Sequence, residues 1–118
     1  MPVQVFGTKK SADTRKALRF FAERRIQVHF VDLAERAMAK GELQRFAQKF
    51  GVAALVDRES RRFAELGLRA ASYSEARWFD LLLDEPFLLV QPLVRNQHKL
   101  TLGAAEAEWG AWAQAGIA

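Results

Sequence analysis

The residues best suited to chemistry stand together in the stretch FGTKKSADTRKA, at positions 6–17. It follows a short apolar segment and opens a predicted helix, so backbone N–H groups and nearby cations converge there. Such a helix start favours an anion such as phosphate or the carboxylate of a peptide. The polar residues of this predicted site are Lys9, Lys10, Ser11, Asp13, Thr14 and Arg15. The alternative interpretation is that Ser11 is simply the N-cap of the helix, which is worth about 1 kcal/mol.

The chain contains no cysteine among its 118 residues. This excludes disulfides, thiolate zinc sites, iron–sulfur ligation and a cysteine nucleophile. Ser11 cannot act as a cysteine thiol would at this helix start. The helix start and adjacent cations lower the pKa of a side chain placed there by only a few units. That shift ionises a cysteine but leaves a serine hydroxyl protonated. We therefore expect no unaided thiol chemistry at Ser11.

The two histidines, His29 and His98, are weaker candidates for a site. They are far apart in sequence and have no carboxylate at ligand spacing, so no metal site is predicted. A Ser-His-Asp triad of Ser11, His29 and Asp13 has no feature in the sequence that fixes its geometry. Ordinary solvent-facing histidines are the simpler interpretation.

Length and composition predict one globular domain. Half of the residues are hydrophobic and 27% are charged, and a chain of this length buries roughly two thirds of its unfolded surface without cross-links. The longest uninterrupted apolar run, Val52 to Val56, is too short to span a membrane, and the N-terminus has no signal-peptide pattern. We therefore expect a cytoplasmic protein without membrane contact.

The net charge of +4 and the pI near 9.9 make acidic partners possible. The basic residues are mixed with acidic ones, as in RESRR at positions 58–62, which is typical of a solvated surface. No specific nucleic-acid binding is expected, only the electrostatic background that salt removes.

The first third of the chain has the pattern of a βαβ unit. Alternating apolar residues predict strands over residues 3–6 and 26–30, and an apolar stripe predicts a helix after Ser11. The strands of such a unit are parallel, with a right-handed crossover.

A helical block follows the second predicted strand. Its apolar spacing predicts a helix that ends at Phe50 and a short one over residues 60–66. A longer helix is predicted to begin near Ser72, which has capping-box spacing to Glu75. Trp78, beside the apolar side of that helix, is the aromatic residue that we expect to be open to a partner.

The C-terminal segment predicts a hairpin and a closing helix. An apolar run before Pro92 is too short for a helix, and strands on either side of a turn over residues 95–99 follow it. Trp109 and Trp112 have the spacing of one helix face, which can lay two indoles on a sheet.

This order of elements resembles that of the arsenate reductase and Spx family of glutaredoxin-like proteins. The matching stretches are FGTKKSADTRKALRFF, RRFAELGL, EPFLLVQPLVRN and EWGAWA, in the family's order along nearly the whole chain. The resemblance implies an α/β, thioredoxin-like fold of three layers with a mixed four-stranded sheet. Residues 1–118 would form a single domain with its core in 1–33 and 86–118 and a helical insert at 34–85.

The same resemblance indicates what has changed at the site. In that family the position of Ser11 is normally the catalytic or redox cysteine, and Thr14 stands where Spx-type regulators place a second cysteine. Pro92 aligns with a proline that is cis in thioredoxin-like folds, so it and the preceding residue are expected to line a groove opposite Ser11. The three positions where arsenate reductases have oxyanion-binding arginines hold Asp57, with Arg58 beside it, Gln91, and Leu102 followed by Gly103.

Two functions remain open on this basis. The favoured one is an arsenate reductase-like protein that is redox-inactive and acts as a binding or regulatory protein. Its protein partner would contact either the helical insert, around Arg58, Arg61 or Trp78, or the edge of the former active site. Spx-type relatives bind the transcription machinery rather than DNA directly, and the resemblance allows such a role. The alternative is a thiol-dependent oxidoreductase related to arsenate reductase, in which glutathione or another external thiol, held by residues 9–14 and by Gln91 and Pro92, supplies the sulfur. No resident cofactor is expected apart from that glutathione.

Overall fold

The computed structural model of the chain describes residues 2–116. The chain divides into two compact units, of which the first runs to Asp32 and resumes at Gln91, and the second is Leu33–Val90. The predicted helical insert, residues 34–85, falls inside the second unit. The assignment of both units to one domain stays a prediction.

The first unit is built on a mixed four-stranded sheet. Its elements are β1 (Val3–Gly7), α1 (Ala12–Glu23), β2 (Val28–Asp32), β3 (Leu93–Asn96), β4 (Lys99–Leu102) and α6 (Glu106–Gln114). The strand order is β2-β1-β3-β4, with β1 and β2 parallel and the other pairs antiparallel. This confirms the predicted sheet and the parallel pairing of the first two strands.

One face of this sheet carries the hydrophobic core of the first unit. Val5 is in register with Phe30 on β2 and with Val94 on β3, so the three side chains share that face. Trp109 of α6 is fully buried against this cluster. Its indole Nε1 donates a hydrogen bond of 2.9 Å to the hydroxyl of Thr101 on β4, which satisfies the polar end of the ring.

The second unit is helical, as predicted. It contains α2 (Lys40–Phe50), α3 (Val52–Leu55), α4 (Arg61–Glu65) and α5 (Glu75–Asp84). Gly51 ends α2 with φ 84°, a left-handed conformation that glycine adopts without strain. The apolar run before Pro92 forms a 3-10 turn, Pro86–Leu88, and a single antiparallel bridge between Leu89 and Val56.

The predicted start of α5 is wrong by two residues. Ser74, not Ser72, is the N-cap, and its hydroxyl accepts a hydrogen bond of 3.2 Å from the backbone N–H of Arg77. Both serines have the chemistry of a cap. Because Glu75 is already the first helical residue, Ser74 alone is placed to reach an unpaired N–H of the first turn.

The expectation that Trp78 is open to a partner is also wrong, since only 8% of the residue is exposed. Tyr73 packs on its ring at 5.1 Å between centroids, and the guanidinium of Arg58 lies 5.7 Å from its centre. The indole is thus shielded from solvent by a tyrosine that precedes the helix and by an arginine distant in sequence. The spacing of residues along the helix does not predict this burial.

The hairpin between β3 and β4 is tighter than predicted. Asn96 pairs with Lys99, so the loop is only Gln97 and His98 rather than residues 95–99. Gln97 has φ 57°, and Arg25, in the turn between α1 and β2, has φ 58°. Both are left-handed conformations that cost energy for residues other than glycine.

Candidate functional site

Ser11 is the N-cap of α1. Its backbone is extended, with φ −79° and ψ 123°, and its hydroxyl accepts a hydrogen bond of 3.1 Å from the backbone N–H of Thr14. Its own N–H donates to the carbonyl of Thr8 at 3.1 Å, and its carbonyl accepts from Arg15 N–H at 3.1 Å. The serine thus closes the turn between β1 and α1 in the way that the capping interpretation describes.

The side chain of Gln91 lies against this helix start. Its Oε1 accepts hydrogen bonds from the backbone N–H of Thr8 (2.7 Å), from the Thr8 hydroxyl (2.9 Å) and from the Thr14 hydroxyl (3.4 Å). A backbone N–H can only donate, so the atom that faces it must be the amide oxygen. We call Thr8, Thr14 and Gln91 the threonine–glutamine cluster.

The cluster is closed to solvent on the threonine side. Thr8 is 3% exposed and Thr14 is fully buried. A Cβ at Gly7 would collide with the Thr14 hydroxyl and methyl groups, so the absence of a side chain at Gly7 lets Thr14 pack against the end of β1. The peptide bond between Gln91 and Pro92 is cis, as in the thioredoxin-like folds that the chain resembles.

The charged residues of the predicted anion site lie outside this cluster. Lys9, Lys10, Asp13 and Arg15 are exposed. The Arg15 guanidinium donates to the carbonyl of Lys9 at 2.6 Å, and the Lys9 ammonium lies 5.9 Å from the centre of the Phe30 ring. The structure therefore brings together Ser11, Thr14 and Gln91 but holds the cations at the surface.

Thr8 is the site residue that sequence reasoning missed. It lies directly after β1 and supplies two of the three donors that face Gln91. Its position after a buried strand is the one signal that could have singled it out, because polar residues at strand ends commonly face a site.

The other positions where the resemblance implies arginines have structural roles in this chain. Asp57, in the second unit, accepts from Glu59 N–H at 3.0 Å through its carboxylate and from Ser60 N–H at 3.1 Å through its carbonyl, which shapes the turn before α4. Leu102 ends β4, and the N–H of Gly103 donates to the carbonyl of Pro92 at 2.9 Å.

The histidines form no catalytic arrangement in the described part of the chain. His29 is exposed on β2 and His98 is exposed in the hairpin loop. Within residues 2–116, no hydrogen bond joins Ser11, Asp13 and His29, and no cluster of three metal-ligating side chains occurs.

An ion pair in the second unit shifts a pKa for structural reasons. Arg62 donates two hydrogen bonds to Glu85, with Nε to Oε1 at 2.7 Å and Nη2 to Oε2 at 3.1 Å. These bonds hold the pKa of the Glu85 carboxyl below its usual value. Because Arg62 belongs to α4 and Glu85 follows α5, the ion pair links these two helices. We therefore interpret it as structural rather than as part of a catalytic acid.

The second unit also carries a continuous stack of arginines and aromatic rings. Arg77 lies 3.8 Å from the Tyr73 ring centre, Tyr73 packs on Trp78, and Arg58 lies 5.7 Å from Trp78 and 5.6 Å from Phe63. Both arginines are exposed. Within residues 2–116, neither guanidinium has a carboxylate partner. We call these five residues the arginine–aromatic stack.

The parallel β1–α1–β2 unit, joined in one mixed sheet to the antiparallel β3 and β4, defines a thioredoxin-like protein. The model of the ArsC family matches residues 6–112. The chain therefore belongs to the ArsC family, which confirms the family predicted from the sequence.

Relatives and solved structures agree with this assignment. The chain is 25% identical over 113 residues to the protein YusI of Bacillus subtilis, which covers 92% of this chain and 96% of YusI. It is 22% identical over 108 residues to the global transcriptional regulator Spx 2 of Bacillus cereus, covering 90% and 82%. The solved structure of a YFFB protein superposes with a TM-score of 0.83 at 20% identity over 92% and 96% of the two chains.

Proposed function

We propose that this chain is a redox-inactive member of the ArsC family that works as a binding or regulatory protein. The observation that carries the proposal is the threonine–glutamine cluster, which adjoins Ser11, the residue where the resemblance implies the family's cysteine. There the hydroxyl of Ser11 serves as a cap, and the donors that could receive an oxyanion already face an acceptor of the chain itself. A cytoplasmic location is part of this proposal.

The arrangement of hydrogen-bond donors and the acceptor in the cluster supports this proposal. An oxyanion site needs donors directed at an empty position. Here Gln91 Oε1 fills that position for Thr8 and Thr14, so an incoming arsenate would have to displace a satisfied, largely buried bond network. Displacing it would leave the amide oxygen facing the anion, which is unfavourable.

We further propose that the partner presents an acidic segment to the arginine–aromatic stack. The Arg77 guanidinium lies 3.8 Å from the Tyr73 ring centre and the Arg58 guanidinium 5.7 Å from that of Trp78, and both arginines are exposed, so a partner can reach their N–H groups. Carboxylates bind guanidinium groups in bidentate geometry. Holding the side chains in advance also lowers the entropy lost on binding.

Enzyme assays separate this proposal from the thiol-dependent alternative. Purified protein is mixed with arsenate or a glutathione mixed disulfide in the presence of glutathione and glutaredoxin. We expect rates equal to those of the blank without protein. Turnover above that blank would establish the glutathione-dependent reaction and overturn redox inactivity.

The partner surface is tested with a dye-labelled oligoglutamate peptide followed by fluorescence anisotropy at moderate salt. We expect saturable binding that the double variant Arg58→Gln, Arg77→Gln loses. Arg19→Gln removes one exposed charge from α1 and serves as the control. Equal binding by the double variant and the control would contradict an acidic partner at this surface.

A further inference from the structure

The sheet register of the first unit places three polar side chains in one row. Gln4 on β1 is paired with His29 on β2 and with Arg95 on β3. Paired residues point to the same face of a sheet, and successive residues point to opposite faces. The row therefore lies on the face opposite to Val3 and Val5, which are in the hydrophobic core.

A small open cavity of about 170 Å³ lies at this row, lined by Pro2, Gln4, His29, Arg95 and Gln97. Pockets for drug-sized ligands occupy roughly 300–1,000 Å³, so this one fits a small polar group. Among its lining residues, all within the described chain, there is no carboxylate. The cavity is therefore suited to a small anion rather than a cation.

The arginine of the row is fixed in place. Arg95 Nε donates to the carbonyl of Gln97 at 2.6 Å, and its Nη1 donates to Gln4 Oε1 at 3.4 Å. These bonds leave the two N–H donors of Nη2 without an acceptor from residues 2–116. Because the oxygen of Gln4 faces the arginine, the amide nitrogen of Gln4 is a further donor, and the exposed imidazole of His29 supplies another.

We propose that this row binds a phosphate group, either as free phosphate or as a small phosphate monoester. Phosphate has several acceptor oxygens in different directions, which suits donors from three adjacent strands, and its charge suits a guanidinium. The site is separate from the helix start, because Gln4 lies in the first half of β1 whereas Ser11 follows the end of that strand. It does not depend on the proposed partner function.

The proposal is tested by titrating isotope-labelled protein with sodium phosphate at constant ionic strength and recording amide chemical shifts. We expect saturable shifts centred on Gln4, His29 and Arg95. Arg95→Gln should weaken the affinity by about tenfold or more, which corresponds to about 1.4 kcal/mol. His29→Asn, at an exposed position on an edge strand, should weaken it without affecting the fold, and Arg19→Gln is the control.

Parallel titrations with glycerol 3-phosphate and with acetate identify the source of the anion. Tighter binding of the monoester supports a phosphorylated small molecule, and tighter binding of phosphate supports the free ion. Shifts centred on residues 8–15, unsaturable shifts, equal binding of acetate, or unchanged affinity in both His29→Asn and Arg95→Gln would each overturn the proposal.

Discussion

At the scale of single residues, two positions define the altered site. Ser11 stands where the resemblance implies a cysteine, and Gln91 stands where it implies an arginine. Compared with that implied pattern, the first position has no nucleophilic thiol, and the second has an acceptor, bonded to Thr8 and Thr14, in place of a donor. The site therefore differs from the implied pattern in polarity as well as in lacking sulfur.

Replacing Gln91 tests how much the cluster contributes to stability. Gln91→Met removes the acceptor and leaves the buried Thr8 donors unpaired, so we expect a loss of about 1–3 kcal/mol in the free energy of unfolding. Gln91→Glu keeps an acceptor and should lose clearly less at neutral pH. Urea unfolding followed by tryptophan fluorescence measures both, and equal losses would show that the hydrogen bonds are not responsible.

Part of this site could be predicted from the sequence. The local pattern around Ser11 indicates the cap, because capping is set within a few residues. The bond from Thr8 to Gln91 joins residues 83 positions apart and depends on the pairing of β1 with β3. No local rule reports such a contact, so the role of Gln91 as an acceptor required the structure.

At the scale of elements, the contact of α4 with the end of α5 predicts a pH dependence. Glu85 has a pKa lowered chiefly by its hydrogen bonds to Arg62. Its contribution to stability is therefore fully present above the unfolded pKa of about 4.3 and is lost as the pH falls through the lower folded value. Glu85→Gln should lower stability at pH 7 and flatten the decline of stability below about pH 4.5.

Urea midpoints at pH 7 and pH 3.5 check this expectation for the native chain and for Glu85→Gln. Glu59→Gln, at an exposed carboxylate in the same unit, is the matched control. If Glu85→Gln keeps the acid sensitivity of the native chain, the ion pair does not contribute to it. Exposed pairs contribute little at high salt, so the comparison belongs at low ionic strength.

The elements themselves were largely predictable because their signals are periodic. The apolar alternation of β1 and β2 and the apolar face of α6 gave the correct elements and their order, although β2 spans Val28–Asp32 rather than residues 26–30. One error arose where two serines, Ser72 and Ser74, could each cap the same helix. Another arose at Trp78, whose ring is shielded from solvent by Tyr73 and Arg58, residues that lie outside its helix. Such outcomes depend on packing in three dimensions, which periodicity does not contain.

At the scale of the whole molecule, charge is the property to test. The net charge of +4 arises from mixed basic and acidic residues. Within residues 2–116, no helix is long and apolar enough to cross a membrane. We expect duplex DNA to bind weakly at low salt, without sequence preference, and to be released near physiological salt. Anisotropy of two unrelated labelled duplexes measures this, and salt-resistant binding to one of them would contradict it.

The left-handed turns at Arg25 and Gln97 have a practical consequence. At each position a residue with a side chain adopts a strained backbone conformation, which lowers the stability of the chain. Glycine adopts the same angles without that strain. Arg25→Gly should raise the urea midpoint by an amount equivalent to about 1 kcal/mol, and a lower midpoint would contradict this. A variant stabilised in this way would have a higher free energy of unfolding than the native chain. Destabilising substitutions near Thr8 could then be studied in that variant without unfolding it.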